Sequence, residues 1–132
     1  MITQNEDLGK FILSFTVGFL MLFHGYAKLT HGIGFIEAMM VKNGFPTFMA
    51  YGAYLGEIIA PLMLIIGFRV KIASVLIIAT MIGAIVMVHA GDVFAVTKHG
   101  AWAIELQMFY ILACLAIFFQ GAGKYSIDEL RV

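Results

Sequence analysis

The sequence predicts an all-α integral membrane protein, an antiparallel four-helix bundle with a short interfacial or re-entrant helix between helices 1 and 2. The first reason is composition: of the 132 residues, 62% are hydrophobic and 12% are charged, and the mean hydropathy is +0.99. Soluble domains are about half apolar and about a quarter charged, and a domain this small has too little interior to bury such an excess. The second reason is that four apolar stretches of similar length divide the chain.

Each apolar stretch is long enough to cross a bilayer as a helix. The four stretches cover residues 8–29, 50–68, 72–91 and 102–120. A hydrocarbon core of about 30 Å is crossed by about 20 helical residues. Because lipid offers the backbone no hydrogen-bond partners, single spans of this length must be helical. We therefore assign residues 1–132 to a single four-helix transmembrane domain.

The connections between the stretches predict how the helices are joined. A tight turn at Arg69–Lys71 makes the second and third stretches an antiparallel hairpin. The connection between the first and second stretches is much longer. Its apolar residues recur at helical spacing until residues Asn43–Pro46, which interrupt the helical pattern. We expect a short amphipathic helix there, lying in the interface or dipping back into the bundle. Its apolar residues are Phe35, Ile36, Met39 and Met40.

Five ionisable residues within the apolar stretches approach from the same membrane face. Counting inward from the ends of the stretches places Glu57 at a depth of about 10 Å and His24 at about 7 Å. An ionisable side chain at membrane depth costs about 2.5–3.5 kcal/mol unless it is paired or faces a polar cavity. We therefore expect one shared pocket, to which every helix contributes. Its predicted members are His24, Lys28, Glu57, His89 and Glu105.

Glu57 is the strongest candidate in this set because Pro61 follows it by four residues. Proline has no N–H, so the backbone carbonyl of Glu57 loses its helical partner. We expect a kink beside Gly56 that presents a carboxylate and a free carbonyl oxygen at one point. Both groups are acceptors, and they suit a proton, a cation or a hydrogen-bond donor.

The residues leave alternatives open. Lys28 can snorkel to the interface, His89 and Glu105 can be interfacial, and His24 and Glu57 can serve helix packing alone. Imidazoles and carboxylates are also ligands of transition metals, but no tight ligand motif supports such a site. The metal candidates are His24, Glu57, His89 and Glu105.

Several short motifs, which run in order along nearly the whole chain, resemble those of the DoxX family of small four-helix bacterial and archaeal membrane proteins. They are Phe23–Lys28, Gly44–Pro46, Glu57, Gly67–Arg69, His89, Glu105 and Gly121–Asp128. The resemblance implies a four-helix membrane bundle and an association with redox function, since relatives include subunits of a thiosulfate:quinone oxidoreductase. Others are grouped with oxidative-stress systems.

The first functional hypothesis is a redox-associated subunit whose pocket binds a quinone, a quinol or a similar small ligand. His24 and Glu57 would be the catalytic, proton-handling pair, and Lys28, His89 and Glu105 would position the ligand. No flavin, nicotinamide or haem motif and no redox cysteine pair is present, so no cofactor is evident, and quinone ranks ahead of a transition metal. Whether the chain is an enzyme stays open, and we expect no catalysis by it alone. The alternatives are a non-enzymatic module that binds or transports a small ligand or metal ion, and a structural membrane subunit.

Basic residues near the helix ends predict the orientation and location. The membrane face that holds both termini has more basic residues than the other face. Since basic residues are enriched on the cytoplasmic side, we expect a multi-pass inner (plasma) membrane protein with both termini in the cytoplasm. The balanced net charge of zero does not indicate a nucleic-acid partner, and the partners we expect are the bilayer and a redox partner protein or a homo-oligomer. The residues are Lys10, Arg69, Lys71, Lys124 and Arg131 on the first face and Lys28, Lys42 and Lys98 on the second.

Overall fold

The computed structural model describes residues 5–130, and its regular elements are helices. This confirms the predicted all-α class and the short helix between the first two long ones. Arg131, which enters the orientation prediction, lies outside the described residues. The elements are α1 (Glu6–His31), α2 (Gly34–Lys42), α3 (Thr47–Ile66), α4 (Val70–Val88), α5 (Glu105–Gln120) and α6 (Ile127–Leu130), with a short 3₁₀ turn at Ala90–Asp92.

Within residues 5–130, three helices are long and apolar enough to cross a membrane. These are α1, α3 and α4, with 26, 20 and 19 residues and mean hydropathies of 1.5, 1.7 and 2.3. Only 28–33% of the residues in their most apolar windows are buried, so most of their apolar surface faces outward and requires an apolar solvent. The protein is therefore a membrane protein.

The fourth apolar helix, α5, is shorter than its predicted stretch. It has 16 residues and begins at Glu105 rather than at Trp102. Trp102 instead forms an isolated β-bridge with Val96, and its indole N–H donates to the Val93 carbonyl at 2.6 Å. These hydrogen bonds hold residues 102–104 in a turn, which hydropathy alone does not distinguish from helix.

Local capping explains where α1 begins and ends. The Asn5 side chain accepts a hydrogen bond from the Leu8 N–H at 3.0 Å, and the acidic Glu6 and Asp7 complement the positive end of the helix dipole. The helix stops at Gly32, whose φ of 79° lies in the region that favours glycine. Helix α1 therefore starts two residues before, and stops two residues after, its predicted apolar stretch.

The core lies between the long helices. Helix α4 packs along α5, while α1 packs along the second half of α3. The side chains at the centre, which are almost fully buried, are Met21, Leu64, Ile77, Cys114 and Ile117.

The C-terminal segment is tied across the end of the molecule where α3 turns into α4. The Asp128 carboxylate accepts hydrogen bonds from the N–H groups of Arg69 and Val70, at 2.6 and 3.1 Å, and thereby caps the start of α4. The Asp7 carboxylate likewise accepts from the Lys124 N–H at 3.0 Å. Acidic side chains thus satisfy free backbone donors at this end, while the predicted site lies toward the other.

Candidate functional site

Helix α3 is irregular at the place where Pro61 predicts a disturbance. Residues Leu55–Ile59 form a π-helical turn, in which the Ala60 N–H bonds to the Leu55 carbonyl five residues earlier. Because Pro61 cannot donate to the Glu57 carbonyl, the regular hydrogen-bond ladder has a gap at this point. A single π-turn within an α-helix often marks a functional site.

Two glycines let neighbouring helices approach this π-turn. A Cβ on Gly25 of α1 would overlap the backbone oxygen of Glu57, and a Cβ on Gly56 would overlap the Thr80 hydroxyl of α4. The carbonyl that Pro61 leaves free is therefore packed against the backbone of α1. The sequence predicted that a carboxylate and a free carbonyl oxygen would both serve as acceptors in the site. We therefore consider the carboxylate of Glu57 alone.

An ion pair joins α1 to the π-turn. The Nζ of Lys28 lies 2.9 Å from Oε1 of Glu57, and the two side chains are 26% and 6% exposed. The Tyr54 hydroxyl donates to the Lys28 carbonyl at 3.4 Å, which adds a second link between the helices. Lys28 therefore does not merely snorkel, because its ammonium group neutralises a buried carboxylate.

The ion pair lies on the wall of a cavity of about 530 Å³. The cavity occupies the end of the bundle where α1 and α4 finish and α3 and α5 begin. Its volume is within the range of about 300–1,000 Å³ that is usual for small-ligand sites. Side chains of α2 form one wall, and these are the apolar residues that predicted that helix. The apolar lining includes Phe35, Ile36, Met39, Met40, Met49, Met81 and Met87.

Polar side chains from four helices interrupt this apolar lining. The His24 ring lies edge-on to the Tyr110 ring, with centroids 5.9 Å apart and planes at 87°. At the end of α4, Nδ1 of His89 lies 3.1 Å from an Asp92 carboxylate oxygen. The polar residues that line the cavity are His24, Lys28, Glu57, Thr80, His89, Gln107 and Tyr110.

The structure brings four of the five predicted site residues to this cavity. His24, Lys28, Glu57 and His89 line it, whereas Glu105 is exposed and does not. Glu105 is the first residue of α5, where a carboxylate is favourable beside the positive end of the helix dipole. Its position is therefore explained without a ligand.

Helix α5 contributes Gln107 and Tyr110 in place of Glu105. Neither is charged at neutral pH, so a search for ionisable residues passes over them. Their spacing could have identified them, because these two polar side chains lie three residues apart on one face of a helix whose residues between its two ends are otherwise apolar.

Gln107 has an unsatisfied hydrogen-bonding group. Its Oε1 is buried and has no hydrogen-bond partner among the described residues. Leaving a buried acceptor unpaired costs about 1–3 kcal/mol, and most buried polar groups in proteins do have partners.

The metal hypothesis gains no support from the arrangement of these side chains. Within residues 5–130, no three His, Cys, Asp or Glu side chains lie close enough together to hold a metal ion. The predicted donors have other partners instead, since Glu57 pairs with Lys28, and His89 contacts Asp92.

Comparison with known proteins places the chain in a family. The DoxX family model matches residues 9–90, which include His24, Lys28, Glu57 and His89. A protein of Bacillus subtilis (strain 168) named "Putative oxidoreductase CatD" is 32% identical over 85 residues, which cover 64% of this chain and 63% of that protein. The match thus spans less than two thirds of the relative's length. No solved structure matches the chain significantly. By its family match, the chain belongs to the DoxX family.

Proposed function

We propose that this protein is a redox-associated membrane subunit whose cavity binds the head group of a quinone or quinol. The observation that carries the proposal is the Lys28–Glu57 ion pair, at 2.9 Å, in the wall of a largely apolar cavity. A quinone head group is a flat apolar ring with polar oxygens at opposite edges. Apolar walls with a few convergent polar groups suit such a ligand. The name of the Bacillus subtilis relative adds support for an oxidoreductase role.

The cavity residues divide into groups that handle protons and groups that position the ring. Reduction of a quinone to a quinol takes up two electrons and two protons, and oxidation releases them. Glu57 and His24 are the groups that exchange these protons, and Lys28 holds the carboxylate in place. His89 positions the ring from the end of α4. The electrons come from a partner redox protein.

The proposal places the site within the bilayer, where quinones dissolve. In it, α5 is the fourth span and completes an antiparallel bundle with α1, α3 and α4. The termini lie in the cytoplasm of a plasma-membrane protein, because basic residues are more numerous on that face. A reporter that is active only in the cytoplasm should be active when fused after Val132 and inactive when inserted within residues 93–101. The opposite result would reverse the orientation and leave the site unaffected.

Binding to purified protein in nanodiscs tests the function. Ubiquinone and menaquinone analogues with short tails would be titrated against the wild type and against Glu57→Gln, which keeps the size of the side chain. We expect Glu57→Gln to weaken binding about tenfold, the usual loss for one charge-assisted hydrogen bond. Glu105→Gln is the matched control, because that carboxylate lies outside the cavity and its loss should leave binding unchanged.

Two results would contradict the proposal. One is a folded wild type that binds neither analogue in either redox state. The other is equal binding by the wild type and Glu57→Gln, with the helical circular dichroism of both intact.

A further inference from the structure

We propose that the cavity opens sideways into the bilayer between α3 and α4, and that its ligand is an amphiphile whose long apolar chain leaves through this opening. The inference rests on the proposed function, because it adds an apolar chain to the head group that the cavity binds. A cavity of about 530 Å³ can enclose a ring of that kind. A long chain attached to the ring needs a way out of the cavity.

Helices α3 and α4 touch at one level and part at the next. A Cβ on Gly56 of α3 would overlap the Thr80 hydroxyl of α4, so the two helices are close there. Because the helices are antiparallel, the next turn in the same direction brings Gly52 of α3 and Gly83 of α4, and both line the cavity. A Cβ at either glycine would meet nothing within 4 Å. Open space therefore borders both helices at this level.

The cavity reaches the surface of the molecule along this gap. Gly52, Leu55 and Ala79 line the cavity and are also exposed, whereas the other exposed residues of the wall lie on α2 or near helix ends. Gly52 comes five residues after the start of α3, and Gly83 comes five before the end of α4, so the gap lies about 8 Å inside the spans. The surroundings at that depth are hydrocarbon. We call Gly52, Leu55, Ala79 and Gly83 the lateral opening.

The lateral opening suits a hydrocarbon chain. None of its four side chains is charged or forms hydrogen bonds. Thr80 lies beside it, but its hydroxyl already donates to the Leu76 carbonyl at 2.8 Å. A polar group in this gap would lose hydrogen bonds to water without gaining others, whereas an apolar chain loses none. The head group therefore stays at the Lys28–Glu57 ion pair, and the chain occupies the gap.

Close contacts obstruct the other sides of the cavity. A Cβ on Gly25 of α1 would overlap the backbone oxygen of Glu57, so α1 and α3 are in contact beside the cavity. The rings of His24 and Tyr110 meet between α1 and α5, and α4 packs along α5. The gap between α3 and α4 is therefore the side on which an apolar chain can leave the cavity within the bilayer.

Two ligands with the same ring test the lateral opening in nanodiscs. One is a ubiquinone analogue with a decyl tail, and the other is the same dimethoxy-methyl benzoquinone ring without a tail. Both concentrations are expressed per lipid, so that partitioning of the tail into the bilayer is not counted as binding. In the wild type we expect the two affinities to agree within a factor of about three, because hydrocarbon surrounds the chain before and after binding.

Gly83→Trp places an indole in the lateral opening, where the wild type has open space. We expect the tailed analogue to bind at least about tenfold more weakly and the tail-free ring to stay within a factor of about two of the wild type. Gly52→Trp obstructs the same opening from α3 and should reproduce the result if Gly83→Trp fails to fold. Ile82→Trp is the matched control, because Ile82 is exposed on α4 and does not line the cavity. It should change neither affinity.

The outcomes separate this inference from the function on which it rests. A wild type that binds the ring and rejects the tailed analogue overturns the lateral opening and leaves the proposed function standing. Equal weakening of both ligands in the tryptophan variants, or undiminished binding of the tailed analogue by folded variants, overturns it in the same way. If neither ligand binds to folded wild type, the proposed function fails and the inference fails with it.

Discussion

The ammonium group of Lys28 and the carboxylate of Glu57 are 2.9 Å apart, and their ion pair joins α1 to the π-turn of α3. The pair is asymmetric in burial, because the Lys28 side chain is 26% exposed and that of Glu57 only 6%. Removal of the lysine would therefore leave a buried carboxylate without its counter-ion, whereas removal of the acid leaves a cation that can still reach water.

Lys28→Met should destabilise the fold by about 1–3 kcal/mol, which is less than for a fully buried pair because water already reaches the lysine. Thermal unfolding in a mild detergent measures the effect. Adding Glu57→Gln to Lys28→Met should recover part of the loss, so the two changes would not be additive. Lys42→Met provides the control, since Lys42 is exposed on α2. Strict additivity would show that the two charges do not stabilise one another.

Gly25→Ala should destabilise the protein by more than about 1 kcal/mol, because the new methyl group overlaps a backbone oxygen that cannot move aside easily. The change would push α1 away from the π-turn and separate Lys28 from Glu57. Gly9→Ala is the matched control on the same helix, since a Cβ there meets nothing within 4 Å. That control should be neutral or stabilise by up to about 1 kcal/mol, as is usual for alanine in a helix. Equal stability of the two variants would contradict the close approach at Gly25.

Pro61→Ala should weaken ligand binding at least about tenfold and lower stability by about 1–3 kcal/mol, because a displaced Glu57 no longer pairs with Lys28. The alanine N–H can bond to the Glu57 carbonyl and restore α-helical geometry, which rotates the preceding residues by about 100° and carries Glu57 away from the cavity. Quinone titration and thermal unfolding, measured on the same sample, separate the two effects. Pro46→Ala is the control, because Pro46 precedes α3 and lies outside the π-turn. Unaltered binding in Pro61→Ala would mean that the carboxylate does not depend on the π-turn for its position.

Asp128→Ala should lower stability by about 0.5–2 kcal/mol, since it removes the cap of α4, and should leave ligand binding unchanged. The site lies toward the other end of the helices, so a loss of stability at this end should not affect ligand binding. Glu129→Ala serves as the control, because its side chain is exposed beside Asp128. A loss of binding in Asp128→Ala at full helical content would show that the two ends of the bundle are coupled.

The sequence predicts two features of this site, namely the ionisable residues that line it and the irregularity of α3. His24, Lys28, Glu57 and His89 are ionisable residues in apolar helices, and all four lie where such residues are tolerated, at a cavity. Pro61 predicts the irregularity of α3 because the missing N–H is a property of the residue itself.

The rest depends on tertiary contacts that the linear pattern does not contain. Hydropathy extends the last helix back to Trp102, but its indole hydrogen bond to Val93 and its β-bridge with Val96 hold that residue in a turn. Glu105 consequently begins the helix and faces outward. Gln107 becomes prominent only in the folded protein, because its amide is unremarkable until its oxygen is found buried without a donor.

The methionines around the cavity bear on which ring substituents the site accepts. Met39, Met40, Met49, Met81 and Met87 line it, and their unbranched, polarisable side chains can repack around rings of different outline. Under the proposed function, such a surface would tolerate both the methoxy groups of a ubiquinone and the second ring of a menaquinone. We therefore expect ubiquinone and menaquinone analogues to bind with similar affinities.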